Sequence, residues 1–410
     1  MKKTRFIKLW LFALWGVTLV SYAKQDLKVS LLSFNGAQRA AYHNLFEQFS
    51  TQNPDINLIV QNYEAEKYKS EINQWLESES HSDVMYWFSG ERLRAFVKKG
   101  LVSNLDNEWL AYQWDTQFTQ GARSSVTYNN NKYGLPVHYY PWAIYYKKSL
   151  FEKLNISPPT DWPSFIAASE KLKENGIAPI VIGSKNYWTL AAWFDYLNLR
   201  INGLEFHERL VTGDVSYKSQ RIAKVFEYWK SLIDRGYFLD GHQGLTWREA
   251  LPFLYRNKGG MMLMGNFWTS QIPESLYDDV EMIRFPVIDT SVQVYEEAPT
   301  NVWIVPQNAN NKADGVKLLQ FMAQSRVQQE LNSAIGMIAP NPNQQQVDDH
   351  FIKQSYKILA NASGVSQFYD RDNPQPIASE GIKQFARFVA DPSSLPLVLE
   401  ELEKLREQSF

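Results

Sequence analysis

Apolar and polar residues alternate over 27–31 and again over 56–60, whereas the stretch between them follows a longer period. The alternation predicts two short strands. Over 42–49 the apolar residues recur at i, i+3, i+4 and i+7, which predicts a helix with one apolar stripe. A strand, a helix and a second strand in this order form a βαβ unit, so we expect a parallel sheet covered by helices.

Predicted strands and helices also alternate through the rest of the chain. A continuous apolar run over 84–88 predicts a strand buried on both faces, and Ile180–Ile182 predicts another short strand. Amphipathic helices are expected near 93–100, 160–176, 222–236, 316–331, 377–390 and 395–408. Strands that alternate with helices define an α/β fold class.

The first 23 residues have the three parts of an export signal. Four basic residues precede the apolar run Leu9–Val20, whose 12 residues fall short of the roughly 20 that a spanning helix needs. Ser21-Tyr22-Ala23 then places small residues where a signal peptidase reads, so we expect cleavage before Lys24. An uncleaved amphipathic start or a membrane anchor is the alternative.

Composition narrows the class of protein. Hydrophobic residues make up 44% and charged residues 21%, the balance of a folded globular chain, and the net charge of -2 argues against a nucleic-acid partner. The chain has no cysteine, which excludes disulfides, thiol catalysis and Cys-ligated zinc. A lipid anchor on a Cys after the leader is excluded as well, so we expect a protein of the Gram-negative periplasm.

The sequence carries no specific catalytic signature. The six histidines never take a zinc-helix spacing, and there is neither a Gly-rich phosphate loop nor a G-x-S-x-G turn. We therefore expect no catalytic residue, no cofactor and no bound metal. Asp370 and Asp372 flank Arg371, and such a run holds a sugar or a cation, or forms an ion-pair cluster. An exported enzyme with paired carboxylates stays an alternative, because that pairing is spatial.

Aromatic residues are in excess, with 14 Trp, 22 Tyr and 23 Phe. They cluster near the ends of predicted elements, at 87–88, 138–142, 187–194 and 267–268. A flat ring offers an apolar face to sugar C–H groups and leaves room for hydrogen bonds at its rim. For Trp87, Trp188 and Trp268, which stand beside Gly, Ser or Asn, ligand contact and core packing are both open. Trp162 and Trp229 are expected to pack in the core.

Five blocks of sequence carry a family resemblance, and they are Asp83–Asp106, Tyr133–Phe151, Pro158–Trp162, Gly259–Trp268 and Gln329–Pro340. In this order they resemble the family 1 extracellular solute-binding proteins, the sugar receptors of bacterial ABC importers that include maltose-binding protein. The match runs from about residue 27 to 400. Two departures occur: Trp268 stands one place late in the Gly-x-Trp block, and the Cys that anchors many relatives is missing.

The resemblance implies a type II periplasmic binding fold, in which two α/β lobes are joined by crossing segments and ligand binds in the cleft between them. After a signal peptide at 1–23, lobe 1 would comprise 24–138 and 298–338, and lobe 2 would comprise 139–297 and 339–410. The crossings would fall near Pro136–His138, Pro299–Asn301 and Met337–Pro340.

The resemblance also implies a ligand site built from both lobes. Trp side chains would stack on sugar rings, while Asn35, Asn266, His138 and the Asp370–Arg371 pair would recognise hydroxyls. The expected ligand-binding residues are Ser33, Phe34, Asn35, Trp87, Ser89, His138, Tyr139, Trp142, Trp188, Asn266, Trp268, Trp303, Asp370 and Arg371.

The implied function is capture of a carbohydrate by hinge closure and delivery to inner-membrane ABC permease subunits. Several Trp in the cleft favour a di- or oligosaccharide, because each stacked ring accompanies one sugar unit in this family. We expect a monomer with no nucleic-acid partner.

Two alternatives stay open: a binding partner of a membrane sensor or chemoreceptor, and a same-fold receptor for ferric iron, a polyamine or glycerol phosphate. Tyr139 and Tyr140 beside His138 are the feature that supports iron. No dense Arg/Lys cluster occurs among the expected site residues to support a phosphate ligand.

Overall fold

The computed structural model describes residues 24–33, 36–78, 81–341 and 348–410. The predicted signal peptide and the expected ligand residues Phe34 and Asn35 lie outside these ranges, as does the side chain of Ser33.

Thirteen strands occur in the described part of the chain: β1 Gln25–Ser33, β2 Ile56–Glu64, β3 Val84–Phe88, β4 Thr127–Tyr128, β5 Asn131–Lys132, β6 Leu135–Tyr139, β7 Trp142–Lys147, β8 Ala178–Ile180, β9 Gly259–Gly265, β10 Val280–Ile283, β11 Tyr295–Glu297, β12 Thr300–Ile304 and β13 Gly364–Ser366.

The helices are α1 Gly36–Gln52, α2 Ala65–Glu77, α3 Glu91–Lys98, α4 Asp106–Ala111, α5 Trp114–Gln117, α6 Gln120–Ser125, α7 Lys148–Lys153, α8 Trp162–Glu174, α9 Trp188–Asn202, α10 Leu204–Val211, α11 Gln220–Asp234, α12 Trp247–Tyr255, α13 Glu274–Tyr277, α14 Lys312–Ala323, α15 Ser325–Ile335, α16 His350–Ala360, α17 Tyr369–Asp372, α18 Ile382–Ala390 and α19 Leu395–Ser409.

The first sheet has the strand order β2-β1-β3-β12-β6. The predicted βαβ unit is confirmed, because β1 pairs in parallel with β2 after the chain has passed through α1. β3 is buried along its whole length, as its unbroken apolar run predicts. β12 lies between β3 and β6 and runs antiparallel to both, so β6 forms the edge of the sheet.

The amphipathic segment expected over 316–331 is two helices and not one. α14 ends at Ala323 and α15 begins at Ser325, because Gln324 between them is extended, with φ of -59° and ψ of 132°. Both helices pack beside β6 and so belong to the first sheet, although the second sheet lies between them and β6 in the sequence.

The second sheet has the order β10-β7-β9-β8, with β7 antiparallel to both of its neighbours. Helix α9 lies against β9, β11, α10, α11 and α18. Because it is covered on every side, α9 is buried from Thr189 to Ile201, and its polar residues Asp195, Asn198 and Arg200 are buried with the apolar ones.

The chain passes between the sheets at three places. It leaves the first sheet after β6, crosses at Tyr140 and Pro141 into β7, and returns at Ala298 and Pro299 into β12. Pro136–His138, where the first crossing was expected, therefore lies inside β6. A third connection follows α15, where Ile338 exchanges two backbone hydrogen bonds of 3.0 Å with Tyr139.

No helix within the described ranges combines the length and the apolar character that a membrane crossing requires.

Candidate functional site

A cavity of about 490 Å³ opens between the two sheets. Its volume falls within the range of small-molecule sites. The first sheet side contributes Arg39, Asn62, Tyr63, Glu64, Ala65, Glu66, Lys69 and Phe88. The second sheet side and the segments between the sheets contribute Tyr140, Trp142, Asn186, Trp188, Thr246, Trp247, Arg248, Phe267, Met337, Phe368, Asp370 and Arg371.

The second sheet side of the cavity is an aromatic wall, formed by Trp142, Trp188, Trp247, Phe267 and Phe368. Trp142 and Phe368 stack with ring centroids 4.8 Å apart and an interplanar angle of 26°. Trp188 meets Trp142 edge-on at 5.9 Å, and Phe267 lies 6.4 Å from Trp188. The rings thus present surfaces of different orientation to one cavity, and Trp142 Nε1 is a buried donor with no acceptor among the described residues.

Two of these rings, Trp188 and Trp247, stand at the start of a helix. The Thr246 side chain accepts the backbone N–H of Glu249, and the Glu249 carboxylate accepts that of Thr246, which is a capping box at the start of α12. Trp247 and Arg248 therefore occupy the first turn of this helix. Tyr187 precedes α9 with φ of +65°, a left-handed conformation that is unusual for a bulky residue. This sharp entry makes Trp188 the first residue of α9 and leaves its ring half-buried at the cavity.

The first sheet side of the cavity is polar. The carboxylate of Glu64 accepts the backbone N–H groups of Glu66 at 2.9 Å and of Lys67 at 3.1 Å, and so caps α2. Lys69 pairs with Glu66 at 3.0 Å. Donors and acceptors therefore face the aromatic wall across the cavity.

Arg371 links the first sheet to the first crossing at the cavity. Its Nη1 donates to Asn301 Oδ1 of β12 at 2.9 Å, and its Nη2 donates to Tyr140 Oη of the first crossing at 2.7 Å. The guanidinium carbon also lies 4.2 Å from the ring centroid of Phe88. Burial raises the pKa of Tyr140 to about 12, so its hydroxyl stays neutral and accepts this bond.

Asp370, the neighbour of Arg371, is held by Arg92 of α3. Arg92 Nη2 donates to Asp370 Oδ2 at 3.1 Å, and Arg92 Nε donates to the Asp370 carbonyl at 2.6 Å. Burial lowers the pKa of Arg92, and the charge of Asp370 opposes this shift. A parallel contact joins Arg94 Nη2 to Asp372 Oδ1 at 3.1 Å. The segment 370–372 is thereby tied to α3.

Four residues expected from the sequence line the cavity, namely Trp142, Trp188, Asp370 and Arg371. Three expected Trp residues lie in the core and do not line it. Trp87 packs on Tyr68 and Phe96, Trp268 on Tyr145 and Tyr255, and Trp303 on Tyr42, Phe46 and Tyr86.

The expected polar residues also have partners inside the protein. Ser89 donates to the Thr300 carbonyl, and Asn266 donates to Ser355 Oγ. His138 Nε2 lies 2.7 Å from Tyr86 Oη, and burial lowers the pKa of His138 to about 3, so the imidazole is neutral. Tyr139 takes part in the pairing of β6. None of these side chains lines the cavity.

Sequence reasoning missed several residues that line the cavity, and three had a readable signal. Trp247 follows directly on Thr246 in a T-x-x-E capping box, which marks a helix start. Phe267 stands between Asn266 and Trp268, which were expected from the sequence. The prediction therefore identified the turn that reaches the cavity but not the residue of the turn that lines it. Tyr140 belongs to the expected 138–142 cluster. Phe368 and the polar residues of α2 had no comparable signal.

Taken together, two α/β units joined by short crossings, with a cavity between them that both units line, define a two-lobed binding protein. Its lobes are built around the first and the second sheet. The chain belongs to the bacterial extracellular solute-binding protein family, whose model matches residues 35–329.

Individual relatives agree with this assignment. An uncharacterised ABC transporter extracellular-binding protein of Pyrococcus horikoshii is 26% identical over 349 residues, which are 82% of this chain and 78% of that protein. A probable sugar-binding periplasmic protein of Rhizobium meliloti is 26% identical over 203 residues, 48% of each chain. The bacterial solute receptor AcbH, described as having an exclusive preference for β-D-galactopyranose, superposes with a TM-score of 0.87 at 26% identity, covering 94% of this chain and 98% of that one.

Proposed function

We propose that this protein captures a carbohydrate in the cavity between its lobes and delivers it to an ABC-type sugar importer. The observation that carries the proposal is the aromatic wall of Trp142, Trp188, Trp247, Phe267 and Phe368 facing polar groups across a single cavity. A pyranose has apolar C–H faces and a rim of hydroxyls, so it needs both kinds of wall at once.

The relatives support the same ligand class. One is named a probable sugar-binding periplasmic protein, and AcbH is described as a galactopyranose receptor. Two of the three groups that suggested iron already have partners in the protein, since His138 bonds Tyr86 and Tyr140 accepts from Arg371. This favours a sugar over a metal complex.

The finer features of the function belong to the same proposal. We expect export through cleavage before Lys24 into the periplasm, action as a monomer, and docking of the sugar-loaded form on inner-membrane permease subunits. The proposed lobes are 24–138 with 298–338, and 139–297 with 339–410. Of the first sheet, Tyr139 at the end of β6 lies one residue beyond the lobe 1 ranges, and the second sheet lies within 139–297.

The ligand site that we propose differs in part from the one expected from the sequence. Trp142, Trp188, Trp247, Phe267 and Phe368 would stack on sugar rings. Arg371, Asp370, Asn62, Glu66 and Lys69 would bond hydroxyls, as would Trp142 Nε1. Sugar that touches both walls favours a closed form over an open one, because only the closed form satisfies both sets of contacts.

Isothermal titration calorimetry of the exported protein tests the proposal. The panel contains D-galactose, maltose, xylobiose and chitobiose, with ferric citrate, putrescine and glycerol 3-phosphate as non-sugar ligands. We expect at least one sugar to bind, and Arg371→Gln to weaken that binding. Arg326→Gln is the matched control, because Arg326 lies exposed on α15 and contacts Glu330 of the same helix and Gln48 of α1, none of which lines the cavity. Binding of a non-sugar ligand alone would refute the sugar assignment.

A further inference from the structure

Two carboxyl groups lie buried side by side where the second crossing leaves the second lobe. Asp195 is on α9 and Glu297 is the last residue of β11, and neither is exposed to solvent. They lie within hydrogen-bonding reach of each other. Asp195 Oδ1 and both carboxylate oxygens of Glu297 have no donor among the described residues. Two adjacent carboxylates in a dry site cannot both be ionised, so the contact requires a proton between them.

This pair touches the segment that lines the sugar cavity. Asp195 Oδ2 accepts the backbone N–H of Tyr369 at 2.8 Å. The next two residues, Asp370 and Arg371, line the cavity. The positive charge of Arg371 also acts on Glu297 and favours its ionised form. One carboxyl of the pair therefore holds the backbone of this segment, and the other faces the charge of its arginine.

The charged and titratable groups around the pair come from several elements. Helix α17 contributes Asp370, Arg371 and Asp372. Tyr217 lies just before α11, and its hydroxyl is hydrogen-bonded to that of Tyr369. Burial raises the pKa of Tyr217, and the charge of Asp195 adds to this rise. On the other side, Tyr196 Oη accepts the Glu297 N–H at 3.4 Å, and Tyr140 lies near Glu297 at the first crossing.

The nearest acidic neighbour along the chain, Glu296, has its charge balanced by two arginines. Glu296 pairs with Arg200 at 3.1 Å and with Arg284 at 3.4 Å. Burial raises the pKa of Asp195 to about 8 and raises that of Glu297 well above its usual range. The pair therefore keeps a proton at neutral pH and loses its last proton only above about pH 8, the pKa of Asp195.

We propose that Asp195 and Glu297 share one proton, and that as positioning residues they hold Asp370 and Arg371 toward the cavity, so that sugar binding is proton-linked. The inference rests on the proposed function of this cavity. Loss of the proton leaves two adjacent negative charges at the crossing. Their repulsion separates α9 from β11 and displaces the Tyr369 N–H and Arg371 from the positions that a sugar requires.

The pH profile of sugar affinity is the decisive experiment. The dissociation constant of whichever panel sugar binds at pH 7 is measured by calorimetry from pH 6 to pH 9.5. We expect affinity to fall by about tenfold per pH unit above pH 8, because each binding event then requires uptake of one proton. Asp195→Asn supplies a permanent amide donor to Glu297 and an oxygen to the Tyr369 N–H. Its profile should be flat within about twofold.

Two further variants complete the design. Glu297→Gln offers the same substitution from the other side of the pair, should Asp195→Asn fail to fold. Asp234→Asn is the control, because Asp234 is an exposed carboxylate of α11 that pairs with Lys230, and it should keep the wild-type slope. If Asp195→Asn and Glu297→Gln weaken binding but keep the wild-type slope, the residues are only structural and the proposal is overturned.

An infrared measurement without ligand separates this proposal from the proposed function. A protonated carboxyl band should be present in the wild type at pH 7, fade by pH 10 and be missing from Asp195→Asn. Absence of the band from the wild type at pH 7 overturns the shared proton. If no sugar of the panel binds, the proposed function fails, while the band still decides whether the proton is there.

Discussion

Trp188 is a half-buried ring of the cavity, and its removal should separate binding from folding better than removal of a buried ring would. Trp142 and Phe368 are buried and support one another, so their truncation would also damage the core. Trp188 makes T-shaped contacts with Trp142 and Phe368 and is stacked on neither of them. We therefore expect it to stack on a sugar ring.

We predict that Trp188→Ala weakens sugar binding by about 1–2 kcal/mol, since it removes one stacking surface, and lowers the free energy of unfolding by less than a core Trp would. Calorimetry and urea denaturation measure the two effects. Trp162→Ala is the matched control, because Trp162 is half-buried and packs on Phe165 and Tyr228 away from the cavity. It should reduce stability and leave affinity intact; equal affinity losses in both variants would contradict the placement of the site.

Tyr187 shows strain at the same helix start. Its φ of +65° is costly for any residue with a Cβ. Tyr187→Gly should therefore raise the free energy of unfolding by about 1 kcal/mol relative to Tyr187→Ala, which keeps the Cβ. Urea denaturation of the two variants gives the difference directly. No gain for glycine would mean that the turn carries no strain.

At the scale of elements, α3 and α17 are linked by two ion pairs although one belongs to the first lobe and the other to the C-terminal part. Arg92 binds Asp370 and Arg94 binds Asp372. Gly90, which precedes α3 with φ of +75°, permits this approach, because a Cβ there would lie 2.8 Å from Asp372 Oδ1. These contacts therefore tie α17 to α3 in this structure.

We predict that Arg92→Met destabilises the protein by about 3–5 kcal/mol, because it leaves the carboxylate of Asp370 buried without its partner. Adding Asp370→Asn should recover part of that loss. A double-mutant cycle in urea measures the coupling. The exposed pair Arg326–Glu330 serves as the control, and its coupling should not exceed about 1 kcal/mol. Equal couplings for both pairs would show that the α3–α17 contact is as weak as a surface pair.

At the scale of the whole molecule, the buried carboxyls make stability depend on pH. The folded-state pKa of Asp195, about 8, lies above its unfolded value, so the folded state holds a proton that the unfolded chain has released. Stability from this group is unaffected below about pH 4, falls as pH rises, and levels off above about pH 8.

Asp195→Asn should therefore flatten the fall in the free energy of unfolding between pH 5 and pH 8. Urea denaturation of wild type and variant across this range measures it. Asp234→Asn, an exposed carboxylate, should leave the wild-type slope in place. A wild-type slope that survives Asp195→Asn would assign the dependence to other groups.

Much of the architecture could be predicted from the sequence, because it rests on local patterns. The alternation over 27–31 and 56–60 and the intervening helical period lead directly to β1, α1 and β2. The helix expected over 316–331 shows the limit of such patterns. Its apolar period runs on without a signal at Gln324, where packing beside β6 separates α14 from α15.

The sequence by itself determined the order of strands and helices, the lack of cysteine chemistry and the excess of aromatic residues. Only the tertiary structure decided which aromatic residues face the cavity. Phe267 and Trp268 are neighbours in one short helical turn, so their side chains point in different directions. Trp268 packs on Tyr145 and Tyr255, which come from distant parts of the second lobe, whereas Phe267 lines the cavity. Such choices depend on contacts between remote segments, which no local pattern records.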